Sequence, residues 1–577
     1  MDRHQPVCAT ATTASPCVSE RRRQATRKLD TTPQTERTET MSTKATTRRA
    51  GGAILGASLA LTLACGGEQV VPLTPTVNTA LGAVEGQALE SGVLKFAGIP
   101  FAAPPVGDLR WRPPQPAVPW EGGRAATEFS ASCWQPLSPP GSFYETGEIE
   151  RSEDCLYLNV WTGAEHAEAA LPVMVWIHGG GLQTGSGGTL LYDGESLAER
   201  GVVLVTINYR LGPMGFLAHA ELSAENESGA SGNYGILDQV AALEWVQANI
   251  AAFGGDPGRV TLFGESAGSW SVNYLTATPL AAGLFHRAIG HSGGIFWPMP
   301  QLGDAESEGA RIAERLAAGD LTAMRDATAE EIYEAASASD ALRFVGVGDG
   351  HVFPRDVYDL FAAGDQNDVD TIVGFNSDEG TALFAGAAGT TVADYRQLLA
   401  DTYGEHADAM LAVYPAENDE QARVAAYENT ADQFFAWQMR TWARLQNRTG
   451  QRPVRMYFFS RVPPWDEAET YGSYHAAEIA YAFDNLHLSG ELRDDIGPFN
   501  HAWDETDRAL ADTMASYWVN FAATGDPNGD GLPDWPVYDP DADGVLELGD
   551  KIGVIQGLLK DRLDAFDAYY EDLRGGG

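Results

Sequence analysis

FGGDPGRVTLFGESAGS, residues 253–269, is the stretch that decides the fold. Within it Val260-Thr261-Leu262-Phe263 reads as a buried β-strand, and Gly264 and Gly268 bracket Ser266 as G-x-S-x-G. A helical pattern begins after Ser266. A chain that leaves a strand and enters a helix at one serine must turn sharply there. Side chains two positions to either side would clash in that turn, which is why glycines flank it. The hydroxyl is then held above the strand ends at a helix N-terminus, a place that suits an attacking alkoxide and the oxyanion that follows. Alone, the pattern also fits a serine that merely caps a helix.

Outward from that turn the alternation repeats. LPVMVWIHGGG (171–181) is a Val- and Ile-rich run ending in glycines, and GVVLVTINYR (201–210), TIVGF (371–375) and VRMYFF (454–459) are further strands. Between them GNYGILDQVAALEWVQANIAAFGG (232–255) places Leu237, Val240, Leu243, Trp245, Val246 and Ile250 at helical spacing, and Gly254-Gly255 stop it. Short apolar strands alternating with longer helices predict an α/β fold with a large, mostly parallel central sheet flanked by helices. No boundary-like linker interrupts residues 79–570, which are read as one domain. The run His178-Gly179-Gly180-Gly181 follows its own strand, and its glycines let backbone N–H groups face a substrate oxygen without Cβ obstruction. By itself it is also a ligand-free glycine turn. An oxyanion loop and a nucleophile elbow in this order point together to acyl transfer.

Composition narrows the partners. The 577 residues include 38 Lys+Arg against 80 Asp+Glu, with 44% hydrophobic and 10% aromatic residues. That is material for a core, and it excludes a disordered or fibrous chain. A formal charge of −42 speaks against nucleic acid, whose phosphates need Lys and Arg, and against docking on anionic lipid by charge. The first 64 residues differ, with ten basic and five acidic, so the remainder carries 28 basic against 75 acidic residues. In that remainder the lysines are Lys95, Lys551 and Lys560, and Arg supplies the rest of the positive charge. Such a surface is well solvated and repels itself at low salt.

Residues 1–40 are rich in Thr, Arg and Gln without apolar periodicity and are read as disordered or as a mis-called start. Residues 41–64 read as an export signal: Met41, a basic stretch with Lys44, Arg48 and Arg49, then the apolar AILGASLALTLA (53–64), too short to anchor across a bilayer. The following LTLACGG (61–67) resembles the lipobox of bacterial lipoproteins, with Thr62 where Leu is usual, and makes Cys65 a candidate lipid attachment site. The expectation is an exported protein, periplasmic, secreted or held at the cell envelope through Cys65. Residues 65–78 are read as a linker.

Taken together the motifs resemble the type-B carboxylesterase and cholinesterase family of α/β-hydrolases. The resemblance rests on GIPFAAPPVGDLRWRPP (98–114), SEDCLYLNVW (152–161), HGGG (178–181), NYRLGPMGF (208–216), GNYGILDQ (232–239) and residues 253–269. It continues through NSDEGT (376–381), GSYHAAEIAYAFDN (472–485) and GDPNGDGLPDWPVYDP (525–540). It implies Ser266 as nucleophile, Glu379 as the acid and His475 as the base, in the order Ser, Glu, His along the chain. It implies the N–H groups of Gly180, Gly181 and Ala267 as oxyanion donors, Glu265 as a gorge-lining residue, and a Cys133–Cys155 disulfide. Without the resemblance, Glu379 is an acidic loop residue that reads as a solvated turn, and His475 is one of 11 histidines. His178 is read as orienting the oxyanion loop, and His286 and His291 as packing or supporting groups.

Two further patterns bear on ligands. Cholinesterases carry a choline-binding tryptophan about ten residues before the second Cys; PPGSFYETGEIERSED has none, only Tyr144 nearby, so choline recognition is not expected. Asp539, Asp541, Asp543, Gly544 and Asp550 fall at EF-hand positions, and Asp526, Asn528, Asp530 and Gly531 match in part, but no paired helices flank them, and the resemblance makes both into turns. The expectation is a serine carboxylesterase that hydrolyses small-molecule carboxylic esters through an acyl-enzyme, with no cofactor and no metal. The alternatives are a lipase-like specificity of the same machinery and a non-catalytic adhesion or binding homologue.

Overall fold

One face of each central strand packs against one hydrophobic cluster and the other face against a second, as the period of two requires. Val173, Val175 and Ile177 belong to the first cluster, Met174 and Trp176 to the second. The computed structural model describes residues 71–138, 142–144, 149–337, 344–384, 390–490 and 501–575. The segments read as leader and export signal, with Cys65, lie outside the described residues, and Gln69–Gly577 groups into one unit.

Eleven strands form the main sheet. They are β1 (Gln87–Ala88), β2 (Leu94–Pro100), β3 (Tyr157–Thr162), β4 (Leu171–Ile177), β5 (Val203–Ile207) and β6 (Gly255–Glu265), then β7 (Arg287–His291), β8 (Asp370–Asn376), β9 (Val454–Phe459), β10 (Gly544–Leu548) and β11 (Gly553–Gln556). Their order is β11-β10-β9-β8-β7-β6-β4-β5-β3-β2-β1. From β5 to β10 neighbours run parallel, and the strands at both edges pair antiparallel. The chain steps from β4 out to β5, then crosses back to lay β6 on the other side of β4. The reversal of direction beside β4 makes the carboxyl ends of β4 and β6 a topological switch point, the usual place for a ligand in an open α/β sheet. All of Val203–Ile207 and Val173–Ile177 are buried because helices cover both faces, and each such side chain contributes about 1.5–3 kcal/mol.

The helix expected over 232–255 spans Tyr234–Asn249 (α1) and ends in a 3₁₀ turn, Ile250–Phe253, before Gly254. Its burial differs from the expectation. Leu237 is only partly buried, whereas Ile236, Ala242, Asp238 and Gln239 are inside. A helix between sheet and neighbours is buried nearly all round, so one apolar stripe does not describe it. Asp238 is tolerated there because Arg210 meets it with two side-chain hydrogen bonds, Nε to Oδ2 at 2.7 Å and Nη2 to Oδ1 at 2.6 Å, and its own backbone N–H at 3.0 Å. The helix after Ser266, Ala267–Ala277 (α2), is buried throughout. On the opposite face Glu505–Thr524 (α4) packs under a capping box from Asp504 and Asp507. Helix α3 (Trp437–Thr449) lies between these two in the chain, and α5 (Lys560–Leu573) ends it.

The EF-hand spacing does not build a cage. Asp543 accepts from the Tyr538 hydroxyl at 2.5 Å and pairs with Arg440 and Arg444, while Asp550 pairs with Arg461 at 2.7 Å. Asp526 pairs with Arg455 at 3.0 Å. Among the described residues no group of three or more His, Cys, Asp or Glu side chains is arranged to hold a metal ion.

Candidate active site

Strand β6 pairs with β4 through Gly264↔Ile177 and with β7 through Glu265↔His291. The backbone then reverses at Ser266, which adopts φ 57°, ψ −123°, a strained conformation for a residue with a side chain. Two contacts hold it there: Ser266 N–H donates to His291 O at 2.9 Å, and Ser266 O accepts the Trp270 N–H of the first turn of α2 at 2.9 Å. The flanking glycines are needed for approach rather than for flexibility. A Cβ on Gly268 would lie 2.0 Å from Ile177 O, and one on Gly264 2.6 Å from the Gly268 carbonyl. The positive end of the α2 dipole meets the serine.

The glycine loop after β4 lies against this turn, since a Cβ on Gly179 would come within 3.1 Å of Ser266 Cβ and 2.9 Å of Glu265 Oε2. His178 is fully buried, and burial lowers its imidazolium to about 4, so the ring is neutral. It stacks on Tyr209 at 4.5 Å, and its Nδ1–H donates to Gly179 O at 2.9 Å. Because the peptide is planar and trans, holding Gly179 O aims the N–H of Gly180 the opposite way. The next peptide is set in the same manner. Gly180 O accepts from the N–H of Gln183 and of Thr184, both at 3.0 Å, which aims the Gly181 N–H. Gly180 and Gly181 adopt φ 101° and 64°.

Glu379 and His475 come from the ends of β8 and from the loop beyond β9, and the sheet brings them together. His475 Nδ1 is 2.6 Å from Glu379 Oε2, and Glu379 Oε1 accepts the Asn376 N–H at 2.8 Å. Glu379 is 4% exposed, so this residue turns inward while Ser377 before it is exposed and Asp378 half-buried. His475 Nε2 faces Glu265 Oε1 at 3.0 Å, but without hydrogen-bond alignment, which leaves both atoms unsatisfied. Burial raises Glu265 to about 7, with the Glu478 and Glu379 charges adding to the rise and His475 opposing it. Burial pulls the His475 imidazolium down, yet Glu265 and Glu379 outweigh it and hold its pKa well above the ordinary histidine range.

Several neighbours have no local signal in the sequence. Glu478, fully buried, accepts from Asn376 Nδ2 at 2.6 Å and pairs with His291 Nδ1 at 3.3 Å. Trp518 Nε1 donates to His291 Nε2 at 3.0 Å, so the remaining ring hydrogen sits on Nδ1, near Glu478 Oε1 but without hydrogen-bond alignment. A single turn of π-helix, Asp432–Ala436, lays Phe435 on the His475 ring at 4.5 Å. Tyr144 donates to His475 O at 2.8 Å. Cys133 and Cys155 are joined in a disulfide.

The comparisons agree with one another. The carboxylesterase family model matches residues 73–566. The chain is similar to a fumonisin B1 esterase of Sphingopyxis macrogoltabida, 38% identical over 83% of this chain and 87% of that one. It is 34% identical to a phenmedipham hydrolase of Pseudarthrobacter oxydans, over 83% and 95% of the two chains. Among solved structures it is similar to a Geobacillus stearothermophilus carboxylesterase, with TM-score 0.75, 33% identity, and 85% and 100% coverage. A PNB esterase gives TM-score 0.74 at 32% identity, covering 85% of this chain and 99% of that one.

Proposed function

Given that this chain belongs to the carboxylesterase family and is a carboxylic ester hydrolase of the α/β-hydrolase fold, we propose that it works through a serine acyl-enzyme. Ser266 attacks the ester carbonyl. His475 trades its misaligned contact with Glu265 for the serine hydroxyl, takes the proton and returns it to the leaving alcohol. Glu379 holds the ring with Nδ1 protonated, and the N–H groups of Gly180, Gly181 and Ala267 receive the oxyanion. Water then reverses the sequence and releases the acid. The observation that carries this reading is the 2.6 Å Glu379–His475 pair, whose Nε2 lies 3.0 Å from Glu265, the residue before a serine on a strained strand-to-helix turn. Mass spectrometry of enzyme quenched during turnover of a p-nitrophenyl ester tests it. An acyl adduct is expected on the peptide bearing Ser266, and turnover with an adduct elsewhere would end the proposal.

Glu265 gives the base its charge environment. Substituting Glu265→Gln removes a negative charge 3.0 Å from Nε2. The imidazolium loses that support, so its pKa falls. Activity requires neutral His475 and rises with pH as the ring deprotonates; the acidic limb of kcat/KM is therefore expected at lower pH in the variant. The plateau drops about tenfold, because the imidazolium formed in the transition state loses a charged neighbour. A pH–rate profile with the limb unmoved or shifted upward contradicts this.

The protein is also proposed to be exported. The signal-like residues 41–64 and the Cys133–Cys155 disulfide, a bond of oxidising compartments, support that reading. Intact mass of protein recovered outside the cytoplasm is expected to start downstream of residue 64, with an added lipid mass if Cys65 is modified. Recovery of the unprocessed chain would overturn it.

A further inference from the structure

Gln135 lies inside the segment closed by Cys133–Cys155 and is 1% exposed. Its amide grips one residue from both sides. Oε1 accepts the Gly185 N–H at 2.7 Å, and Nε2 donates to Gly185 O at 2.8 Å and to Cys133 O at 3.0 Å. Gly185 closes the glycine loop. Its φ is 114°, and a Cβ there would lie 2.2 Å from His178 Nδ1 and 2.7 Å from Gly179 O. The residue before it, Thr184, supplies one of the two N–H groups that hold Gly180 O, the other coming from Gln183. Fixing Gly185 therefore helps fix one of the two donors that set the Gly180–Gly181 peptide, and with it the direction of the Gly181 N–H.

Gln135 is itself held by groups outside the loop. Arg151 Nη1 donates to Gln135 O at 2.6 Å, and its guanidinium lies 4.9 Å from the Trp134 ring. Trp134 packs on Tyr333, whose hydroxyl donates to Trp134 O at 2.7 Å. The same Cys133–Cys155 segment carries Tyr144, whose hydroxyl holds the His475 carbonyl at 2.8 Å. One covalently closed segment thus reaches both the glycine loop and the base. We propose that Gln135 is a positioning residue for ester hydrolysis, orienting through Gly185 the glycine N–H groups that receive the oxyanion, with Tyr144 seating His475 from the same segment. The inference rests on the serine acyl-enzyme reading above.

The test uses the full chain and Gln135→Met, which keeps the side chain's length and removes all three amide hydrogen bonds. Assayed with p-nitrophenyl acetate, it is expected to lose about 10- to 100-fold in kcat with KM within about threefold, since misaimed donors weaken the transition state and not the ground state. The inhibition constant of a trifluoromethyl ketone, which forms a tetrahedral oxyanion, should rise by the same factor as kcat/KM falls, with a cooperative melt retained. If kcat stays within twofold, or falls while ketone affinity is unchanged, the proposal is overturned. Should Gln135→Met fail to fold, Tyr144→Phe keeps the ring and removes only the hydroxyl. It is then expected to cut kcat about 3- to 10-fold at constant KM, and wild-type kcat overturns the proposal. Ser266→Ala in the same assay separates the two levels: if it remains active, the acyl-enzyme reading itself fails.

Discussion

Ser266→Ala is expected to reduce kcat for p-nitrophenyl acetate about a million-fold while leaving the fold intact. A methyl group cannot become an alkoxide, and the residual rate would come from the oxyanion donors and substrate binding alone. The substitution adds no strain that serine did not already carry, because alanine and serine share the same cost at φ 57°. The contacts that hold the turn are backbone ones, Ser266 N–H to His291 O and the start of α2, and they survive the change. Binding of a ground-state competitive inhibitor should stay within a few-fold. Retention of more than about one per cent of wild-type kcat would remove Ser266 from the nucleophile's role.

Glu379→Gln is expected to lower kcat about 10⁴-fold, and the geometry says why the amide cannot substitute. Oε1 accepts the Asn376 N–H, so in the variant that position must remain the amide oxygen. The NH₂ group is then forced into the place of Oε2, 2.6 Å from His475 Nδ1. A donor facing Nδ1 selects the tautomer with hydrogen on Nε2, the nitrogen that has to take the serine proton. Raising the pH does not repair a tautomer, so the loss should persist on the plateau of the pH profile. A plateau within tenfold of wild type would mean that Glu379 does not set the ring.

What was legible and what was not divides along a physical line. The elbow 264–268 and the glycine loop 178–181 are local: strand, tight turn and helix start are contiguous, and steric necessity writes glycines into them. Glu379 and His475 are not contiguous with Ser266 or with each other, and only a resemblance spanning most of the chain singled them out. Gln135 and Phe435 carried no signal beyond residue type, Asn376 and Glu478 lie in matched motifs without a role of their own, and His291 reads only as a packing or supporting group. Each is recognised by a partner far away in the chain, such as Gln135 with Gly185 or Trp518 with His291. The half-burial of Leu237, which still packs against the core, has the same origin, because tertiary packing covers nearly all of α1 rather than one stripe.

The sequence by itself determined the alternation of strands and helices, the sharp turn at Ser266, the glycine loop after β4 and the acidic surface, because each depends on neighbours a few residues apart or on composition. The tertiary structure alone decided which histidine of eleven meets which carboxylate, and that three buried carboxylates, Glu265, Glu379 and Glu478, share two imidazoles. It also decided that Gln135 clamps Gly185. Those contacts arise where the carboxyl ends of parallel strands converge, and burial there turns ordinary side chains into partners whose charges and hydrogen bonds must be mutually satisfied.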